Sequence, residues 1–205
     1  MIMIFLIITS SIESKYGIHN EEHRKHTYLE CITQALRILP DSIKPIIVEN
    51  NGFRSTYLDN MGCDVVYTNN NVVNYINKGV NELRDIKDVI RIYNIQDDDI
   101  VIKLTGRYFM MNPIFIQTIF EYPDKDAFVK FFNVCTCEYV YDDCVLGLYA
   151  IRCKYLKRFE YECIASPEVE FATYIRRVIP QDNIMQLHDL SLRCCFAGDL
   201  RIQIV

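Results

Sequence analysis

Asp97-Asp98-Asp99-Ile100-Val101-Ile102-Lys103-Leu104-Thr105-Gly106-Arg107-Tyr108 is the stretch that decides the fold. Its apolar, β-branched run lies between acids and a glycine, which predicts a central strand buried on both faces. In open α/β sheets a ligand sits beyond the carboxyl ends of the parallel strands. That rule favours Lys103, Thr105, Gly106, Arg107 and Tyr108 over the aspartates, since a strand places Asp98 roughly 16 Å from Lys103. Gly106 allows a sharp turn beside a ligand, and Arg107 offers a planar fork for phosphate or carboxylate. The competing readings are a structural arginine paired with an acid at 107, and a solvated helix-to-strand turn at Asp97 to Asp99 instead of a two-carboxylate metal site.

Outward from this strand, helices and strands alternate. Met1 to Ile8 is an apolar run that predicts a first buried strand; it is too short to span a bilayer and lacks the basic flank of a signal peptide. A polar loop over Ser10 to Glu22 leads to a helix over Thr27 to Leu39, stopped by Pro40. Strands are expected over Ile43 to Val48 and Cys63 to Tyr67, with a short helix over Arg54 to Met61 between them. A longer helix over about Val73 to Tyr93 presents Ile76, Val80, Leu83, Ile86, Val89 and Ile90 as a stripe toward the core. Such alternation predicts an α/β fold: a Rossmann-like, mostly parallel sheet flanked by helices over about residues 1–110. The second half, about 111–205, is mixed. It carries strands over Ala127 to Val134 and Val145 to Ile151, a helix over Lys154 to Phe159, a helix from Ser166-Pro167-Glu168 to Val178, and a strand near Ile184 to Leu187. No linker or repeat separates the halves, so residues 1–205 are expected to form one domain.

Composition narrows the partners. The 205 residues are half hydrophobic and carry a net charge of -5, which offers no footprint for nucleic acid or an anionic membrane. A small-molecule partner fits better. Nine cysteines include no CxxC pair, which predicts buried, reduced thiols in a cytoplasmic protein rather than a zinc site.

Several side chains are candidates for chemistry. His19, His23 and His26 could share one helix face and hold a metal, although their charged surroundings suit a solvated loop and helix start. Arg24, in the loop after the first strand, is placed to meet a nucleotide. Lys78-Gly79 could approach a phosphate or ribose. Glu168 and Glu170, in a first helical turn, are stabilised as carboxylates, which suits a general base or simply a helix-dipole partner. His188-Asp189 could ligate a metal or donate to phosphate, or form a surface turn. Tyr139, Tyr141, Asp142 and Asp143 could line a sugar site or pack in the core.

Val48-Glu49-Asn50-Asn51, Tyr67-Thr68-Asn69-Asn70, Asn77-Lys78-Gly79-Val80-Asn81-Glu82-Leu83 and Ile102-Lys103-Leu104-Thr105-Gly106-Arg107-Tyr108 occur in an order that resembles small GT-A-type glycosyltransferases. These are of the kind encoded by large DNA viruses and bacterial polysaccharide clusters. The similarity runs from about Met3 to Ile175, and Lys-Leu-Thr-Gly-Arg-Tyr is its distinctive part. It implies a GT-A-like domain that transfers a sugar from a nucleotide-diphosphate donor, UDP-linked, to a hydroxyl of a glycan or glycoprotein in the cytoplasm, the host's if the gene is viral. Ser10, Arg24, Glu49, Asn50, Lys78, Gly79, Thr105, Gly106 and Tyr108 would then hold the donor. Lys103 and Arg107 would support the leaving group, and Glu168 would deprotonate the acceptor.

Where such folds end the central strand in Asp-x-Asp, this chain has Lys103-Leu104-Thr105-Gly106-Arg107. Lys103 and Arg107 could replace a divalent cation, Mn or Mg, by placing charge where charge develops. If a metal is used, Asp97, Asp99 and His188 are its expected ligands. Two other readings remain: a nucleotidyltransferase, which would be expected to carry a glycine-rich phosphate loop where Thr9 to Asn20 has only Gly17, and a catalytically inactive sugar-binding or scaffolding protein.

Overall fold

A computed structural model describes residues 2–13, 20–72, 78–131, 143–195 and 201–205. In chain order the strands are β1 (Ile4–Ser10), β2 (Ile43–Glu49), β3 (Asp64–Tyr67), β4 (Ile100–Thr105), β5 (Phe109–Met110), β6 (Ala127–Val129), β7 (Leu148–Arg152), β8 (Ile184–Gln186), β9 (Leu192–Cys195) and β10 (Ile202–Ile204). The helices are α1 (Glu21–Ile38), α2 (Lys78–Ile92), α3 (Ile114–Glu121), α4 (Cys153–Arg158) and α5 (Pro167–Val178).

Seven strands form one sheet in the order β3-β2-β1-β4-β7-β6-β8. β1 pairs in parallel with both β2 and β4, which makes the two most apolar strands the centre. β7 runs antiparallel to β4 and β6, and β8 is parallel to β6. All the sheet's strands except β7 therefore end on one side, beyond Ser10, Glu49, Tyr67, Thr105, Val129 and Gln186. β6, β7 and β8, from the second half of the sequence, extend the sheet built by the first.

Because side chains alternate along a strand, the sheet buries two cores. Phe5, Ile7, Val101, Tyr149 and Ile151 face α2, α4 and α5. Leu6, Ile8, Ile100, Ile102 and Leu104 face α1 and α3. A second, three-stranded sheet, β10-β9-β5, adds Met110, Leu192 and Cys194 to the latter core.

The first strand, β2, α5 and the alternating architecture follow the sequence reading closely. Helix α1 begins at Glu21, six residues before the expected start: Asn20 caps it by accepting from His23 N at 3.0 Å, with Glu21 and Glu22 in the first turn. The expected helix over Arg54 to Met61 is a single 3-10 turn, Tyr57–Asn60, closed by a Thr56/Asp59 capping box. Helix α3 and the strands β5, β9 and β10 were not anticipated. Residues 14–19, 73–77, 132–142 and 196–200 lie outside the described residues. They include His19, Gly17, Tyr139, Tyr141 and Asp142.

Candidate functional site

Beyond the carboxyl ends of β2 and β3 the chain builds two closed carboxylate knots. Glu49, with no exposed side-chain surface, lies 2.7 Å from Ser10 Oγ and accepts from Ile12 N at 3.1 Å and Asn51 N at 3.3 Å, with Arg54 at 3.6 Å. Burial raises its pKa; the hydrogen bonds from Ser10 and Ile12 and the charge of Arg54 oppose that. Asp85, on α2, is equally buried and accepts from Thr68 Oγ1 at 2.6 Å and from Asn50 and Asn70 Nδ2, both at 2.8 Å. Burial outweighs those bonds and pushes its carboxyl up to about 7. Ser10 and Glu49, expected to touch the donor, bond to one another and to Ile12 N, while Asn50 gives its Nδ2 to Asp85 and keeps a buried Oδ1 with no hydrogen-bond partner among the described residues.

The central strand corrects a second expectation. Lys103 is 1% exposed and points toward α2, where its ammonium meets Glu82 Oε1 at 2.8 Å. It also donates to Thr105 Oγ1 at 2.7 Å and Leu146 O at 2.6 Å. An ammonium has three hydrogens, and these partners use all of them. Lys103 is therefore a buried counter-ion, not a group presented to a diphosphate. Thr9 Oγ1 donates to the same Glu82 oxygen at 2.6 Å.

Positive charge gathers instead around Tyr28. Arg24 Nε donates to Ser11 O at 2.7 Å, and its guanidinium lies 5.4 Å from the Tyr28 ring centre. Half-buried Arg107 donates to Cys195 O, and Tyr28 is among the neighbours that raise its pKa. Lys78, at the start of the described part of α2, has a lowered pKa: shielding from water comes first, followed by the positive charges of Arg107 and then Arg24. Three cations drawn from α1, α2 and the turn after β4 thus converge over the ends of β1 and β4, close enough to repel one another. Gly106 serves this convergence, since a Cβ there would sit 3.0 Å from both Thr9 O and the Tyr28 ring. Its role is close packing. Tyr108 packs over Gly147, where a Cβ would approach its ring to 2.4 Å or less.

The metal assignment does not hold. Asp97 pairs with Lys157 at 2.7 Å, and Asp99 accepts from Met3 N at 2.9 Å and Gln96 N at 2.8 Å. Both lie at the amino end of β4, across the sheet from His188, which follows the carboxyl end of β8. Among the described residues no group of three or more His, Cys, Asp or Glu side chains could hold a metal ion. At the end of β4, where a divalent cation would need carboxylates, the chain offers Thr105, Gly106 and Arg107, and Glu82 is already held by Lys103. These residues do not fit such an ion. His23 and His26 are exposed on α1.

Along α2, Gly79, Glu82, Leu83, Ile86, Leu146, Tyr149, Tyr161 and Phe171 line a small cavity. Glu168 lies on the first turn of α5, beyond Tyr161; its carboxylate ranks after that of Glu82 in raising the Tyr161 pKa. Glu170 accepts from the backbone N–H groups of Glu162, Cys163, Ile164 and Ala165, which fixes the loop before α5 and occupies its carboxylate. The sequence reading missed Glu82, Asp85 and Thr9. A lysine inside an apolar buried strand was the available signal, because it requires a carboxylate from the element covering it.

No protein-family model matches the chain, and no curated protein matches it by sequence. Solved structures do match. One, from Desulfovibrio desulfuricans G20 and assigned to nucleotide-diphospho-sugar transfer, has a TM-score of 0.57 at 11% identity over 91% of this chain and 80% of that one. Glucosyl-3-phosphoglycerate synthase from Mycobacterium tuberculosis, solved with Mn2+, UDP and glucosyl-3-phosphoglycerate, gives 0.56 at 14% identity over 90% of this chain and 68% of that one. CMP:2-keto-3-deoxy-manno-octonic acid synthetase with CTP gives 0.53 at 14% identity over 90% and 89%. The chain thus has the α/β fold shared by GT-A and nucleotidyltransferase-like proteins, a mostly parallel central sheet flanked by helices.

Proposed function

We propose that the protein is a glycosyltransferase that moves a sugar from a nucleoside-diphosphate donor, UDP-linked, to a hydroxyl of a glycan or glycoprotein. The observation that carries this reading is the convergence of Lys78, Arg107 and Arg24 beyond the ends of β1 and β4, the position at which open α/β sheets bind ligands. Cleavage of the donor leaves negative charge on the diphosphate, and fixed cations there stabilise that charge as it develops. Lys78 and Arg107 supply it in place of the pair Lys103 and Arg107, since Lys103 is neutralised by Glu82. Thr105, Gly106, Gly79 and Tyr108 shape the same crevice. Glu168 belongs to the acceptor side. The residues at the end of β4 suit an anion better than a divalent cation, so nucleotide binding should not require Mn2+.

Thermal unfolding with UDP, GDP, CDP and dTDP, each with Mn2+ and with EDTA, tests the reading. A nucleotide at about a hundred times its Kd stabilises the native state by about 2.7 kcal/mol. The expected result is stabilisation by one of them, equal in EDTA, and release of that nucleoside diphosphate from its sugar conjugate. Release of pyrophosphate from a nucleoside triphosphate and a sugar phosphate would identify a nucleotidyltransferase instead. Binding without turnover would identify a sugar-binding or scaffolding protein.

A further inference from the structure

The cavity beside α2 is about 10 Å³, the space of a single water. Three of its lining residues carry polar atoms with nothing to bond among the described residues. Glu82 accepts two hydrogen bonds at Oε1, from Thr9 and Lys103, and none at Oε2. The hydroxyls of Tyr149 and Tyr161 have no hydrogen-bond partner there either. The topology explains the grouping: Lys103 stands directly opposite Tyr149 across β4 and β7, so a carboxylate placed on Lys103 also overhangs the tyrosine. Burial first, then neighbouring negative charge that includes Glu82, keeps both tyrosines well above their ordinary pKa and hence protonated. Two O–H donors and one carboxylate acceptor thus belong to residues that line one oxygen-sized space.

Such a set matches a nucleophilic hydroxyl, which accepts from a tyrosine and donates to the carboxylate. Glu82 is 28% exposed, so it communicates with the crevice. Lys78 precedes it by four residues, which places the two on one face of α2 about 6 Å apart at Cβ. A diphosphate held at Lys78 would bring the anomeric carbon of its sugar toward Glu82. We propose that Glu82 is the catalytic base and that its niche with Tyr149 and Tyr161 seats the attacking hydroxyl, or a water when no acceptor is bound; this rests on the glycosyltransferase reading. The hydroxyl proton passes to Glu82 Oε2, the oxygen bonds to the anomeric carbon, and the carbon–oxygen bond to the diphosphate breaks with its electron pair on the diphosphate. Thr9 and Lys103 hold Oε1 and so aim Oε2. Glu168 does not line the niche, and no described side chain orients its carboxylate.

Release of nucleoside diphosphate from UDP-glucose, UDP-N-acetylglucosamine, GDP-mannose and dTDP-rhamnose without acceptor, together with binding of the matching nucleoside diphosphate, tests the assignment. Glu82→Gln should lower release at least a hundredfold, with nucleotide affinity unchanged within about threefold. Because Glu82 also neutralises Lys103, the double variant Glu82→Gln/Lys103→Met removes both charges and should stay inactive while binding nucleotide. Recovery of activity in the double variant would reduce Glu82 to a counter-ion and overturn the proposal. So would a Glu82→Gln enzyme that keeps a tenth of the rate, or loss of activity in Glu168→Gln with Glu82→Gln active. Nucleotide binding by the wild type without donor cleavage also overturns the base assignment, whereas no nucleotide binding overturns the transferase reading beneath it.

Discussion

Replacing Asp85 by asparagine should flatten the dependence of stability on pH between pH 5 and pH 7. The native carboxyl is raised from 3.8 to about 7, chiefly by burial, so across that interval the folded protein keeps a proton that the unfolded chain has released. Stability then falls as pH rises, by up to about 1.4 kcal/mol per pH unit. Integrated with these two values, Asp85 alone costs about 2 kcal/mol between pH 5 and pH 7 and about 4 kcal/mol across its whole titration. The amide introduced by Asp85→Asn would keep an acceptor oxygen for Thr68 or Asn70 and remove the proton equilibrium. Glu49, also raised, contributes in the same direction but is present in both proteins and cancels in the comparison. Asp59, Asp64, Asp97 and Glu170 are lowered, so their contributions disappear only at more acid pH. Urea unfolding of both proteins at pH 5, 6 and 7 gives the difference directly. A variant whose stability declines with pH as steeply as the wild type's would refute the burial argument.

Lys78→Met and Arg107→Met should each weaken nucleoside-diphosphate binding and reduce its sensitivity to salt, measured by calorimetry at about 50 and about 300 mM salt, because the contact is between charges partly open to water. Arg107→Ala should also lower donor turnover about a hundredfold, as removal of a donor to a developing anion does. Gly106→Ala places a methyl 3.0 Å from Thr9 O and the Tyr28 ring and should cost about 1–3 kcal/mol in denaturant unfolding. Glu170→Gln removes the charge that four backbone N–H groups converge on, and should speed proteolysis between Glu162 and Ala165 while α5 remains intact.

Strands β1 to β4 were legible because each is a short apolar run between turn residues, and the end of helix α5 because Pro180 follows it. Elements that owe their existence to distant contacts were not. β5 and β10 are two- and three-residue strands defined by pairing with β9, and nothing local distinguishes them from a loop. Arg107 and Lys78 were legible as cations near the crevice. Lys103 was misassigned because position along the strand was considered without its face: Ile102 and Leu104 look toward α1 and α3, so Lys103 looks toward α2 and whatever carboxylate α2 carries. The rule that ligands sit at the carboxyl ends of strands already weighed against Asp97 and Asp99, and both precede β4 at its amino end.

The place of β1 in the sheet bears on how the chain is made. Its Ile-Phe-Leu-Ile-Ile run is synthesised well before β4, which forms one of its edges, and Met3 N finds its partner Asp99 96 residues later. Until β4 emerges, a strand meant for the middle of a sheet has an open edge, with high β-propensity and no charge. At about 5–20 residues per second that interval lasts on the order of 5–20 seconds. Ribosome-bound chains that stop before β4 should therefore be the form most in need of a chaperone, and slowing translation through α2 should increase aggregation more than slowing it after β7.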